Sequence, residues 1–323
     1  MGFEEIIGQD LVIKALKRSL GSGQTAHAYL FSGPEGYGKK SLALLFAQAL
    51  NCNREQDPPC KSCLSCRKTL SGNHPDFYQV RPEGASLKIG QLRELKERLY
   101  YLPREGRKKI CLIHDADLMT LPAANSLLQI LEEPPGDLVF ILLSSRPWAL
   151  LPTIISRCSH FALRPLLPEE IDLVLRKQSI LKQQEREIVA ALAEGNPGKA
   201  LELSLKGGWK KNLEEALTLL DCVENESLEN VFNKAEELSR RENLKELIDL
   251  FLIIYRNRLL IKLGSRPEIK LCFPGGKSLG AGDNIYFLEK ICRHLLDLQE
   301  ELLNNINKRL AVEVLFLQMR GVV

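Results

Sequence analysis

The most constraining stretch of the chain is His27-Ala-Tyr-Leu-Phe-Ser-Gly-Pro-Glu-Gly-Tyr-Gly-Lys-Lys-Ser41. An unbroken apolar run, Ala28 to Phe31, is followed by a glycine-rich turn from Gly33 to Gly38. A segment with Leu42, Leu45, Phe46 and Ala49 at helical spacing comes next. The order predicts a buried strand, a tight loop and an amphipathic helix. Such a loop can hold an anion, because backbone N–H groups and the positive helix end converge on it and a lysine adds a point charge. The complete phosphate-binding pattern is G-x-x-x-x-G-K-[ST]. Gly33, Gly38 and Lys39 satisfy it, with Gly36 inside the loop. Lys40 stands where the hydroxyl belongs, and Ser41 comes one residue late. ATP binding is compatible with this loop, and hydrolysis is not expected of it.

Four of the nine cysteines lie within fifteen residues, as Cys52-x7-Cys60-x2-Cys63-x2-Cys66. Two-residue gaps let backbone turns aim neighbouring thiolates at one ion, which is the donor set of structural zinc. The segment carries almost no apolar side chains, so a metal would supply its order. Disulfides do not suit a chain with no export signal at its acidic start, and the spacing is unlike the familiar iron–sulfur run. Zn2+ is therefore expected at these four residues, in a structural role. The other five cysteines, Cys111, Cys158, Cys222, Cys272 and Cys292, read as small buried hydrophobes.

The first 165 residues alternate strand and helix, predicting a parallel sheet. Strands are expected at 77–80, 110–113, 138–143 and 161–163, and helices at 89–99 and from Leu121 to the double proline at 134–135. His74 is expected to serve a turn. Residues 167–207 read as a small helical unit interrupted by the turn Gly195-Asn-Pro-Gly198. Residues 208–323 read as all helix, apart from a Gly- and Pro-rich break from Gly264 to Asp283. A net charge of +3 is too small to argue for nucleic acid, and basic and aromatic residues are not interleaved. No apolar run spans a bilayer, so the cytoplasm is the expected compartment.

In a phosphate-loop ATPase, the strand Ile110–Ile113 should end in an Asp for Mg2+ and a Glu that polarises water. Here those places hold His114 and Asp115. A one-residue slip offers Asp115 and Ala116 instead, and either register leaves one role empty. Histidine is a poor ligand for hard Mg2+.

These motifs together resemble the delta-prime family of bacterial DNA polymerase III clamp-loader subunits, within the AAA+ superfamily. The resemblance covers the whole chain and is densest over residues 7–165. It is carried by Ile7-Gly-Gln, His27-Ala-Tyr-Leu-Phe-Ser-Gly-Pro, the four cysteines, Asn73-His-Pro-Asp and Asn125-Ser-Leu-Leu-Gln-Ile-Leu-Glu-Glu-Pro-Pro. Leu-Pro-Thr-Ile-Ile-Ser-Arg-Cys158 and Asn305-Ile-Asn-Lys-Arg-Leu add to it.

The resemblance implies an α/β AAA+ domain over 1–166 with its zinc module at 52–66, a helical lid over 167–207 and an all-α collar over 208–323. It implies a pentameric ring with gamma/tau and delta subunits, acting on the sliding clamp and primer-template DNA. It also implies that Arg157 projects into a neighbour's ATP site as an arginine finger, although alone this residue would read as a surface ion pair. The family lid would offer an arginine after the 195–198 turn, and here the nearest cation is Lys199. Two readings follow: a non-hydrolysing stator, or a gamma/tau-like motor. The missing Gly-Lys-[Ser/Thr] and Asp-Glu pairs favour the stator.

Overall fold

The computed structural model describes residues 2–99, 101–178, 181–241, 243–264, 284–302 and 306–322. The chain packs as two compact units. One comprises Met1–Val174 with Gly195–Lys199, and the other Leu175–Glu194 with Ala200–Val323. The division falls within a helix and places the 195–199 turn with the first unit.

The first unit is built on five parallel strands: β1 (Ala28–Ser32), β2 (Phe77–Val80), β3 (Lys109–Ile113), β4 (Leu138–Ser144) and β5 (Ser159–Ala162). Their spatial order is β2-β3-β4-β1-β5. In register, Phe31 lies opposite Leu143 on one side and Phe161 on the other. Every residue of β1, β3 and β4 is buried. This is why these segments read as continuous apolar runs and not as alternation.

One face of the sheet is covered by α1 (Asp10–Gly21) and α2 (Lys39–Leu50), whose Leu16, Leu42 and Phe46 pack with Phe31 and Ile141. The ring of Phe46 meets Tyr29 edge-on, with centroids 4.7 Å apart. Burying each such ring contributes about 1.5–3 kcal/mol. The other face is covered by α4 (Ile89–Leu99) and α5 (Leu121–Glu132), through Leu92, Leu95, Leu127 and Ile130. Pro134 and Pro135 follow α5, where they cannot continue the helical hydrogen bonds.

Between these elements lie a short helix α3 (Leu64–Leu70) in the cysteine segment and a one-turn helix α6 (Pro152–Ile155) before β5. The sequence does not foretell α3. Its N-cap is a thiol, with Cys63 Sγ accepting the N–H of Cys66, in a place where Ser, Thr, Asp or Asn usually signals a helix start.

The helix α7 (Pro168–Gln178) runs from the first unit into the second. The second unit holds α8 (Gln183–Leu192), most of α9 (Pro197–Lys206), α10 (Trp209–Asn225), α11 (Leu228–Ser239), α12 (Leu244–Lys262), α13 (Ile285–Glu301) and α14 (Lys308–Met319). The core of the second unit includes Phe251 and Phe316, whose rings meet edge-on at 6.4 Å. The expected break from 264 to 283 lies, beyond Gly264, outside the described residues. Among the described residues, no helix is long and apolar enough to cross a membrane.

Candidate functional site

Three places in the first unit bring chemistry-bearing side chains together: the glycine loop, the cysteine cluster and the segment after α6.

The loop between β1 and α2 has the shape its sequence requires. Gly38 caps α2 with a left-handed φ of 84°. Gly36 also has positive φ, 85°, and a Cβ there would come within 2.2 Å of Asn196 Oδ1. A side chain is excluded at position 36 by backbone conformation and by contact. The contact comes from the Gly195-Asn-Pro-Gly198 turn, which clasps the loop. Asn196 Nδ2 donates to Glu35 O at 2.9 Å, and the N–H of Gly198 donates to Gly36 O at 3.0 Å. The lysine at 199 donates its N–H back to Asn196 Oδ1 at 3.1 Å. A Cβ at 198 would meet Gly36 Cα at 2.7 Å, so this close approach has no room for a longer residue.

Lys39 is only 8% exposed. Its amine donates to the carbonyl of Gly33, to Pro34 O at 2.9 Å and to Ser145 Oγ at 3.0 Å. Burial holds its pKa below the usual lysine range, against the opposing pull of Asp115, Asp117 and Glu35. Lys40 is exposed, and Ser41 follows it on α2.

The end of β3 explains the missing metal ligands. The His114 ring is buried, and its Nε2–H donates to Gln79 Oε1 at 3.1 Å. Burial, then the Arg81 and Lys40 charges, push the imidazole down to about 4. It is neutral at pH 7. Asp115 turns the chain at φ 45°. The carboxylate with fixed partners is Asp117, which accepts from Ser145 N at 3.1 Å and Arg146 Nε at 3.2 Å. Burial opposes its ionisation, but hydrogen bonds from Ser145 and Arg146 hold its pKa below the ordinary range. Neither sequence register included Asp117 or Ser145. The available signal was the polar Ser144-Ser145 ending an apolar strand beside β1.

Cys52, Cys60, Cys63 and Cys66 converge, with all four sulfurs within 4.8 Å of one another. A tetrahedral zinc with bonds of about 2.3 Å needs sulfurs about 3.8 Å apart, so the donor set fits. Backbone N–H groups already point at the sulfurs. Arg54 and Cys60 donate to Cys52 Sγ at 3.4 Å, Cys63 to Cys60 Sγ at 3.3 Å and Cys66 to Cys63 Sγ at 3.4 Å. Burial opposes the Cys60 thiolate, but donors from Cys63 and Ser62 outweigh it and bring the thiol down to about 5. Burial raises Cys52 and Cys66. The cluster could hold a metal ion such as zinc.

His74 stands outside that set. Its Nδ1 accepts the N–H of Asp76 at 3.1 Å, and its Nε2 lies 3.2 Å from Ser65 Oγ. Asp76, fully buried, accepts three N–H groups, from Arg104, Glu105 and Gly106, at 2.7, 2.8 and 2.7 Å. The Asn-His-Pro-Asp turn thereby fixes the loop leading into β3, and Lys68 of α3 reaches the same loop through Glu105 at 2.6 Å.

Arg157 follows α6 at the surface. It donates from Nη2 to Glu132 Oε1 at 2.8 Å and from Nη1 to Thr153 O at 3.0 Å.

A parallel sheet with a glycine loop after β1, helices on both faces and a four-cysteine module makes a phosphate-loop-type α/β unit joined to a helical one. The family model for the DNA polymerase III delta subunit matches residues 8–167. DNA polymerase III subunit delta′ of Bacillus subtilis is 34% identical over 265 residues, covering 81% of this chain and 80% of that protein. Subunit tau of the same organism is 30% identical over 284 residues, covering 80% of this chain and 50% of that protein. Among solved structures, a DNA polymerase III gamma subunit-related protein from Thermotoga maritima is 23% identical, with a TM-score of 0.43 over 96% of this chain and 98% of that one. The chain belongs to the DNA polymerase III clamp-loader subunit family, as a delta-prime-like member.

Proposed function

We propose that this chain is the stator of a DNA polymerase III clamp loader: a ring subunit that does not turn over ATP itself and lends Arg157 to a neighbour's ATP. One observation carries the reading. The glycine loop keeps its backbone, while two positions that should serve Mg2+ are filled by Lys40 and by a neutral His114 bonded to Gln79. Arg157, in contrast, is a cation at the surface end of α6 with donors to spare. A guanidinium supplied in trans stabilises charge on the transferred phosphoryl group and is worth roughly 10³- to 10⁵-fold in rate.

In this reading the helical second unit supplies lid and collar, dividing the chain at about the expected 166 and 207. The partners are gamma/tau and delta in a pentamer acting on clamp and primer-template DNA in the cytoplasm. Gly33, Gly36, Gly38 and Lys39, with Lys40 and Ser41, form a degenerate phosphate loop. The four cysteines hold a structural zinc.

The test is ATP turnover by the isolated chain and by the reconstituted loader. The isolated chain should show negligible hydrolysis, and Arg157→Ala should lower the loader's DNA-stimulated rate at least a hundredfold at the site it serves. Robust Mg2+-dependent hydrolysis by the chain alone, abolished by Lys39→Ala, would establish a gamma/tau-like motor instead.

A further inference from the structure

We infer that Glu132, together with the carbonyl of Thr153, is the positioning device for the Arg157 guanidinium in the neighbour's ATP site. The inference rests on the trans reading of Arg157 and adds to it the residue that aims it.

Arginine carries five N–H donors in a planar fork. Two are engaged here, from Nη2 to Glu132 Oε1 at 2.8 Å and from Nη1 to Thr153 O at 3.0 Å. Three donors stay available for an incoming oxyanion, so the anchors need not be released for the fork to act. The two anchors have independent supports. Glu132 is the last residue of α5, the helix that Leu127, Ile130 and Leu131 root in the sheet. Thr153 lies in α6, rooted by the fully buried Ile154, and its carbonyl also accepts from Ser156 Oγ at 3.1 Å. A long side chain is thus tied to two packed helices at once.

Glu132 is 52% exposed and Arg157 35% exposed at the side chain. An ion pair this open to water contributes little to folding. It fixes direction more than it holds the fold. Immobilising a rotamer-rich side chain costs about 0.5–1.5 kcal/mol. Having met that cost before the phosphate arrives, the chain presents an oriented donor fork.

The expected effect follows from that entropy. In the reconstituted loader, Glu132→Ala should lower kcat of the served site by about two- to tenfold with KM for ATP unchanged. Glu132→Gln, which keeps an acceptor oxygen, should return most of the loss. In the Arg157→Ala background, Glu132→Ala should change nothing further, because there is no side chain left to aim. Size-exclusion chromatography of each loader confirms assembly, so a rate change is not a loss of complex. Parent-level kcat in Glu132→Ala, a raised kcat, or an equal further loss on top of Arg157→Ala would each overturn the inference. If Arg157→Ala itself leaves the loader at full rate, the trans reading falls and this inference falls with it.

Discussion

The cysteine cluster and the glycine loop lie in the same unit and differ in how complete a site each presents. The cluster keeps its complete donor set: four thiols within 4.8 Å, with backbone N–H groups aimed at the sulfurs. The loop keeps its geometry, with Gly36 and Gly38 in left-handed conformations and Lys39 buried, but not the side chains that would handle Mg2+ and water. A cysteine segment with few apolar side chains would draw much of its order from an ion it binds, so losing one ligand would cost stability. A phosphate loop packed between a sheet and a clasping turn is held by those contacts whether or not it handles nucleotide. Persistence of a shape is therefore weak testimony for an activity, and persistence of a donor set is strong testimony for its ion.

The contrast can be broken most forcefully at the cluster. Cys63→Ser should cut bound zinc from about one per chain to a small fraction and lower thermal stability by several kcal/mol, because it removes one of the four proposed thiolate ligands while a serine can still cap α3. Metal analysis and calorimetry read this out, and unchanged zinc and melting temperature would dissolve the distinction drawn above.

The next largest effect belongs to His114. Its folded-state pKa is depressed to about 4. Its contribution is therefore fully present above the ordinary value near 6.5 and is lost as pH falls from there toward 4, by up to about 3 kcal/mol. His114→Gln should flatten the stability profile in that window. A parallel acid loss in parent and variant would show that the ring is not held neutral.

The smallest effect is at the clasp. Asn196→Ala removes one side-chain donor and one acceptor, and should cost about 1 kcal/mol in denaturant unfolding while leaving zinc content untouched. A loss of zinc in that variant would mean the two regions are not independent.

Much of this architecture was legible before any coordinates, and for physical reasons. Strands buried on both faces leave unbroken apolar runs, which is why β1, β3 and β4 were found within a residue of their ends. Two-residue cysteine gaps are a short-range geometric signal, and the fold brings those four thiols together. What escaped detection depends on distant partners. Asp76 reads as part of a turn, yet its carboxylate orders Arg104 to Gly106, which lie 28 to 30 residues later. Asp117 and Ser145 meet only because β3 and β4 are neighbours in the sheet. Arg157 and Glu132, 25 residues apart, could be read singly and not as a pair. The resemblance implies an arginine after the 195–198 turn, where this chain has Lys199, and the approach of Gly198 to Gly36 leaves no room for a larger residue at 198 itself.

The assignment of Gly195–Lys199 to the first unit has a practical corollary for dissecting the molecule. The chain passes between its units three times, so the α/β half is not contiguous along the sequence. A fragment ended at Val174 would carry the entire sheet yet leave Glu35 O and Gly36 O without their donors from Asn196 and Gly198. The shortest uninterrupted piece that retains them ends at Lys199, and limited proteolysis between 175 and 194 should yield two fragments that stay associated through that borrowed turn.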